Sequence, residues 1–550
     1  YDTGAFQTGG TTRSNPAQAA RLAADIAACV PFNPFGGAYD NTAARNYFNI
    51  ASSNEAWTEQ FVLNGFVNGD SSAWFELPGG PVGFVLGAEY RKEDIYFKQD
   101  DFAGTAGNTN NVVLGTLYDP DPFEVKEAFA ELRIPILADT PFFEELTLSG
   151  AARLADYQGG TGNVWAYNAG IDWAPVRDLR FRANFSRSVR APNLTESGGA
   201  QVNNFSPGFQ DPCNAANIGT GTQYRAANCQ QDLGPLLANA RAGAYGLPVV
   251  SGPNPDLEAE TADSWTVGAV IQPRWIPRLS LTVDYYDITV DNIITAPTAQ
   301  VIANSCYDQP TLDNIFCQSF RRWRGPGPGP FSEQPGEIEG NTLMQVPLNF
   351  AKRTRRGIDT QLIYNTDLSD SVELNTFLLY THNFEISNFE NPGDPTFENR
   401  ILGELGDPED EFEWNTDLKF NNWVTVSYGL RYIGPMVVGL WENYNSLGGR
   451  APQNADAADI REYPEVFYHD VRLELDLGDR LGSATGGFGR DFVFYMGVDN
   501  VTNTKPPLGA TGAGAGGGGG AQDRPGSQNS NGAIYDVRGR QLYLGFRAGF

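Results

Sequence analysis

Two histidines, His382 and His469, and five cysteines are the scarce reactive side chains of this 550-residue chain. A zinc cluster needs Cys-x-x-Cys or paired histidine spacing, and neither occurs. A Ser/His/Asp or Cys/His set would have to use one of the two histidines, and both fall in alternating segments as ordinary strand residues. The expectation is therefore no catalytic residue, no metal site and no cofactor. Cys213 and Cys229 bracket a Gly/Asn/Ala loop, and Cys306 and Cys317 bracket a second polar segment. Such close pairs suit disulfides in an oxidising compartment and leave Cys29 over.

Positive charge is gathered in two places in a chain of net charge −28. Arg321, Arg322 and Arg324 flank Trp323, and Lys352, Arg353, Arg355 and Arg356 follow. Guanidinium groups clustered this way suit an anionic ligand, lipopolysaccharide phosphates or salt bridges among loops. The same long segments carry Phe205, Phe209, Tyr224, Tyr245, Phe320, Phe331, Trp441 and Tyr444. These aromatics fit either ligand stacking or packing of one loop on another. Arg321, Arg322, Trp323, Arg324, Trp441 and Tyr444 are the candidate substrate-contacting residues. Acidic runs at 119–124 and 407–413 offer calcium-type oxygen ligands, with spacing alone in their favour.

The elements that must position these groups are β-strands. From Phe550 backwards, Ala548, Phe546, Leu544 and Leu542 alternate with Gly549, Arg547, Gly545, Tyr543 and Gln541. Period two means a strand with one apolar and one wet face. Segments of this kind recur near 55–68, 82–98, 122–136, 145–157, 164–174, 178–189, 260–273, 278–293, 346–366, 371–388, 408–421, 423–438, 464–478, 490–502 and 536–550. Short connectors alternate with long ones at 190–259, 294–345, 389–407, 439–463 and 503–535, the pattern of a membrane barrel with turns on one side and loops on the other. The connector 69–81 is long for the turn side, and 158–163 is short for the loop side. No run of about 18 apolar residues is present, so no membrane helix is expected. The acidic balance argues against a nucleic-acid partner. The Gly-rich run at 513–521 reads as a flexible part of the last long loop. Tyr1 in place of Met, with no visible signal peptide, reads as a processed or partial chain.

Several strings in the same order resemble TonB-dependent receptors. Arg190-Ala191-Pro192-Asn193-Leu194-Thr195-Glu196 is similar to their mid-barrel signature, and Asn254-Pro255-Asp256-Leu257-Glu258 to the segment that follows it. Arg356-Gly357-Ile358-Asp359, Val498-Asp499-Asn500 and the closing aromatic Phe550 continue the series. The resemblance implies an all-β fold, a transmembrane antiparallel β-barrel of the 22-stranded type. This chain would supply about fifteen C-terminal strands, with 1–54 an extracellular segment and 55–550 the barrel portion. Phe546 and Phe550 would form the outer-membrane assembly signal, and both cysteine pairs would lie in extracellular loops. Further implications are active import of a scarce nutrient (siderophore, cobalamin, oligosaccharide or similar) across the outer membrane of a Gram-negative bacterium. Expected partners are membrane lipid and lipopolysaccharide, the TonB energy-transducing complex, and a plug with early strands absent from this sequence. The alternative is a passive porin-like or structural barrel.

Overall fold

The fold is given by a computed structural model, which describes residues 40–49, 53–100, 117–199, 201–392, 394–458, 460–478, 492–507 and 533–548, with scattered positions between 24 and 33. Cys29, the Gly-rich run at 513–521 and Phe550 lie outside the described residues. The chain packs as two units, 1–57 with 96–119, and 58–95 with 120–550. The first contains the helix Thr42–Phe48 and a stacked pair, Trp57 and Tyr96, with ring centroids 5.3 Å apart. The second carries the rest of the sheet and the two longest loops.

Fifteen principal strands follow one another, as the alternation predicts. They are β1 (Glu55–Asp70), β2 (Gly83–Lys98), β3 (Phe123–Thr140), β4 (Phe143–Tyr157), β5 (Gly162–Val176), β6 (Leu179–Arg190), β7 (Glu260–Ile271) and β8 (Leu279–Thr295). Then come β9 (Leu348–Ser369), β10 (Val372–Phe389), β11 (Asp410–Phe420), β12 (Val424–Ile433), β13 (Val466–Asp476), β14 (Val493–Asp499) and β15 (Gln541–Arg547). Each pairs with its sequence neighbour, and from β2 onward every such pairing is antiparallel. Among the described residues, β1 and β15 are each paired along one edge only.

Register assigns the two faces. Val471, Leu473 and Leu475 of β13 stand opposite Val498, Met496 and Phe494 of β14, which stand opposite Leu542, Leu544 and Phe546 of β15. This face is apolar yet open, Phe546 being 69% exposed. The other face of the same strands carries Arg472, Glu474, Tyr495 and Tyr543. Close pairing is possible there because Gly497 lies under the Tyr543 ring and Gly545 under Tyr495, where a Cβ would collide. An apolar face without a protein partner opposite a polar face is the reverse of a soluble sandwich, whose apolar face is covered.

Short turns close most of one end of the sheet, at 141–142, 177–178, 370–371 and 421–423, while 71–82 and 477–492 are longer connectors at that same end. Asn421 and Asn422, between β11 and β12, both adopt left-handed φ (48° and 61°), as a tight primed turn requires. The longest connectors, 191–259 and 296–347 among them, leave from the other end. The last two strands are shorter than the alternation predicts. β14 stops at Asp499 because Asn500 and Asn503 turn left-handed. Residues 536–540 form a turn in which the Asp536 carboxylate accepts the Arg538 N–H and Gly539 has φ 73°.

The long loops 191–259 and 296–347 fold together. Val202–Phe209 and Tyr245–Ser251 pair antiparallel, and Leu343–Gln345 from the second loop adds in parallel. Helices α1 (Arg225–Leu233) and α2 (Ala299–Asp308) pack beside them, α2 starting where the Thr298 hydroxyl accepts the Val301 N–H. Phe209, Leu247, Val249, Ile302, Tyr307, Phe316 and Leu343 form the enclosed core. The disulfides Cys213–Cys229 and Cys306–Cys317 are both present and both border it. Its strands are short and its two helices span only nine and ten residues, so no long periodic run announces this core in the sequence.

Candidate functional site: the loop end of the polar face

The residues 190–196 act as a brace. Arg190 donates Nε and Nη2 to the Glu260 carboxylate (2.8 and 2.6 Å) and Nη1 to Glu196 (3.0 Å). Pro192 leads into Asn193, whose Oδ1 accepts the N–H of Thr195 and Glu196, while the Glu196 carboxylate accepts the Asn193 N–H. This reciprocal cap fixes the exit of β6. Glu260 also accepts the N–H of Ile294, so one carboxylate ties together the ends of β6, β7 and β8. Ala191 sits between the brace and the cap and has no polar side-chain role.

The basic run at 321–324 is divided by the fold. Arg322 points into the loop core, its side chain 1% exposed. It makes a two-pronged pair with Asp211 (2.7 and 2.9 Å) and further bonds to the Tyr307 hydroxyl and the Gly336 carbonyl. Burial works against its charge, but Tyr307 and Asp211 outweigh that and hold the guanidinium above its ordinary pKa. Burial pushes the Tyr307 hydroxyl up as well, with Arg322 opposing. Arg322 is therefore an interior cation of the loop core, out of reach of a ligand. Arg324 stays exposed and bonds Asp232 at 2.5 Å, and Arg321 lies 3.8 Å from Glu339. Trp323 packs on Gly325 and Gly329 and donates Nε1–H to the Gly327 carbonyl.

Trp441 and Tyr444 belong to a different cluster. The Trp441 N–H donates to Glu404 at 2.8 Å, and the Arg400 guanidinium lies 4.7 Å from its ring centroid. Tyr444 donates to the Val438 carbonyl under Arg461. Among the described residues, no hydrogen bond, ion pair or ring contact joins this cluster to residues 321–324. The acid Glu404 has its pKa pushed up to about 7, by burial first, against the Trp441 N–H and with help from Glu442 and Asp407.

The second basic run is sorted by the pleat. Lys352, Arg353 and Arg356 lie within 4 Å of Asp291, Glu390 and Glu385. Arg355 has no carboxylate within that distance among the described residues; its Nη2 reaches Asn383 Oδ1 at 3.4 Å, beside the Tyr286 hydroxyl on the same atom at 2.9 Å. Arg355 shares its face with Asp359, across from Asp284 and Tyr286, so it belongs to the polar wall near the loop end. Deeper on that wall the ion pairs recur. Arg182 meets Asp284 across β7, where Gly268 leaves room for the carboxylate, and Arg180 meets Glu145 at 2.7 Å. A recess of about 740 Å³ opens there, lined by Glu131, Arg133, Glu145, Asn168, Asp172 and Arg180.

A sheet with an uncovered apolar face, a charged opposite face and loops massed at one end defines the wall of a membrane-spanning β-barrel. No helix among the described residues is long and apolar enough to cross a membrane. The family model described as TonB dependent receptor-like, beta-barrel matches residues 5–501, and the chain belongs to that family, whose members are outer-membrane receptors of Gram-negative bacteria. No curated protein matches. Among solved structures, the chain is similar to a mutant of the ferric enterobactin receptor PfeA of Pseudomonas aeruginosa in complex with enterobactin. The identity is 14%, covering 90% of this chain and 55% of that one, with a TM-score of 0.52. It is also similar to the siderophore receptor PirA of Acinetobacter baumannii, at 12% identity, 90% and 55% coverage and a TM-score of 0.53. At these identities the likeness is one of fold, and the chain spans about 55% of the length of these structures.

Proposed function

We propose that this chain forms the barrel wall and the substrate-capturing outer loops of a TonB-dependent importer of a scarce nutrient in a Gram-negative outer membrane. Residues 55–550 would be barrel and loops, with the long connectors outside the cell and 1–54 an outer segment. TonB and a plug would act through parts of the protein beyond this sequence. The observation that carries the reading is the family match over most of the chain. Arg355 adds to it as an exposed cation on the inner wall with no carboxylate within 4 Å among the described residues, a place for an anionic group of the nutrient. Enterobactin in the PfeA structure makes ferric siderophores the first class to test, ahead of cobalamin and oligosaccharides.

The test is uptake of radiolabelled ferric siderophores and cobalamin by cells expressing the complete receptor, with and without TonB. Saturable uptake of one ligand that disappears without TonB supports the proposal. Equal flux in both strains, unsaturated and unselective, means a passive pore.

A further inference from the structure

We propose that His382, Glu409 and Asp410 form a divalent-metal site at the outer rim of the barrel, on its lipid-facing side. His382 of β10 and Asp410, the first residue of β11, are direct cross-strand partners. Their Nδ1 and Oδ1 atoms are 2.7 Å apart. Glu409 precedes Asp410, and one donor atom from each of the three residues lies within 4.8 Å of the others. Donors about 2.0–2.2 Å from one metal stand roughly 3–3.5 Å apart, so the wider separations must close while the His382–Asp410 contact opens slightly and gives up its hydrogen.

Independent features support the assignment. The neighbouring acids Glu385 and Glu390 each have an arginine within 4 Å. Glu409 and Asp410 sit side by side with no Lys or Arg that close among the described residues, and His382 is the only ion partner of Asp410. A divalent ion would supply the countercharge that these two carboxylates lack from Lys or Arg. The donors are also oriented. The Tyr380 hydroxyl donates to Asp410 Oδ1 at 2.6 Å, an outer-shell bond that fixes the carboxylate, and the His382 ring stands edge-on to Phe384. Asn383, buried, bonds the Pro408 carbonyl and the Glu409 carbonyl and holds that backbone against β10.

Position completes the argument. Tyr380, Phe412, Tyr432 and Phe467 form one row across β10 to β13, the outer aromatic girdle. His382 and Asp410 lie one step beyond it, at headgroup depth. Cations nearer the loop ends of the strands on this face, among them Lys92, Lys126, Arg187, Lys352 and Arg356, each have a carboxylate within 4 Å, whereas Glu409 and Asp410 have no Lys or Arg that close among the described residues. One imidazole with two carboxylates is a donor set for zinc, manganese or cobalt rather than for calcium or magnesium, which take oxygen. The remaining coordination positions face the headgroup layer.

The experiment uses the complete receptor in detergent, stripped with a chelator and titrated with Co2+ and then Zn2+, read by cobalt absorption and calorimetry. One saturable site is expected. His382→Gln and Asp410→Asn should each weaken it at least about tenfold, and Tyr380→Phe about tenfold through the lost orienting bond. Retained heat-modifiable migration on gels shows that each variant is folded. Binding unchanged in folded His382→Gln, or no saturation below about 1 mM, overturns the proposal. Neither result depends on which nutrient is imported.

Discussion

Arg322 and Asp211, 111 residues apart in sequence, meet as a two-pronged ion pair whose side chains are 1% and 0% exposed. The pair joins the two longest loops at their centre, with Tyr307 on the third guanidinium nitrogen. Arg322→Ala leaves Asp211 buried without a counter-charge and should destabilise the loop core by about 3–5 kcal/mol. Hydrogen exchange should rise across 202–251 and 299–345 while the barrel keeps its heat-modifiable migration. Unchanged protection in the loops would contradict the assignment.

Each disulfide closes a short loop beside the same core, with sequence separations of 16 and 11. Loss of a cross-link of this length costs about 3 kcal/mol. Cys213→Ser with Cys229→Ser should make the loops protease-sensitive at a lower temperature. Alkylation mass mapping of the native protein should find no free thiol at the four positions.

Arg355 and Arg353 are two residues apart on one strand but differ in charge balance, since Glu390 lies beside only Arg353. Arg355→Ala should weaken binding of an anionic substrate about ten- to hundredfold, the range for a hydrogen bond to a charged group. Arg353→Ala should cost much less. Equal losses would make both contributions merely long-range electrostatics.

Glu404 gives the long loop after β10 a pH dependence of defined sign. Its folded pKa of about 7 lies above the unfolded value near 4.5, so the native state holds a proton that the unfolded chain releases. Its environment is most favourable below about 4.5 and becomes a growing penalty as pH rises through about 7. Asp407 is shifted the same way by burial, with Arg355 opposing. Thermal unfolding at pH 5 and pH 8 should show Glu404→Gln gaining relative to the parent at pH 8 and little at pH 5.

Phe546 points out from the apolar face, 69% exposed, with Phe492 stacked at 5.9 Å. Phe546→Gln and Phe550→Gln should both lower the yield of membrane-inserted barrel. Normal yield of both would remove the assembly role from this end of the chain.

Strand alternation was readable because each pleat face meets a different solvent over many residues. Leu542, Leu544 and Phe546 repeat at period two with nothing to interrupt them, and their partners on β14 do the same. The polar end was legible only as composition. Arg321, Arg322 and Arg324 look equivalent in sequence, and it is a buried aspartate 111 residues away that selects Arg322 for the interior. The pleat rule would have separated Arg355 from Arg356, because odd and even positions of β9 face opposite sides. His382 and Asp410 meet only through the β10–β11 register, which no local pattern specifies.

The knitted loops 191–259 and 296–347 spring from four strand ends, those of β6, β7, β8 and β9, which are neighbours in one stretch of wall. An arch with all its feet on one stretch of parapet cannot flap leaf by leaf. It is expected to keep its form above those four strands and to shift as a block, which leaves the connectors outside the arch, such as 390–409 and 434–465, as the ones free to move separately.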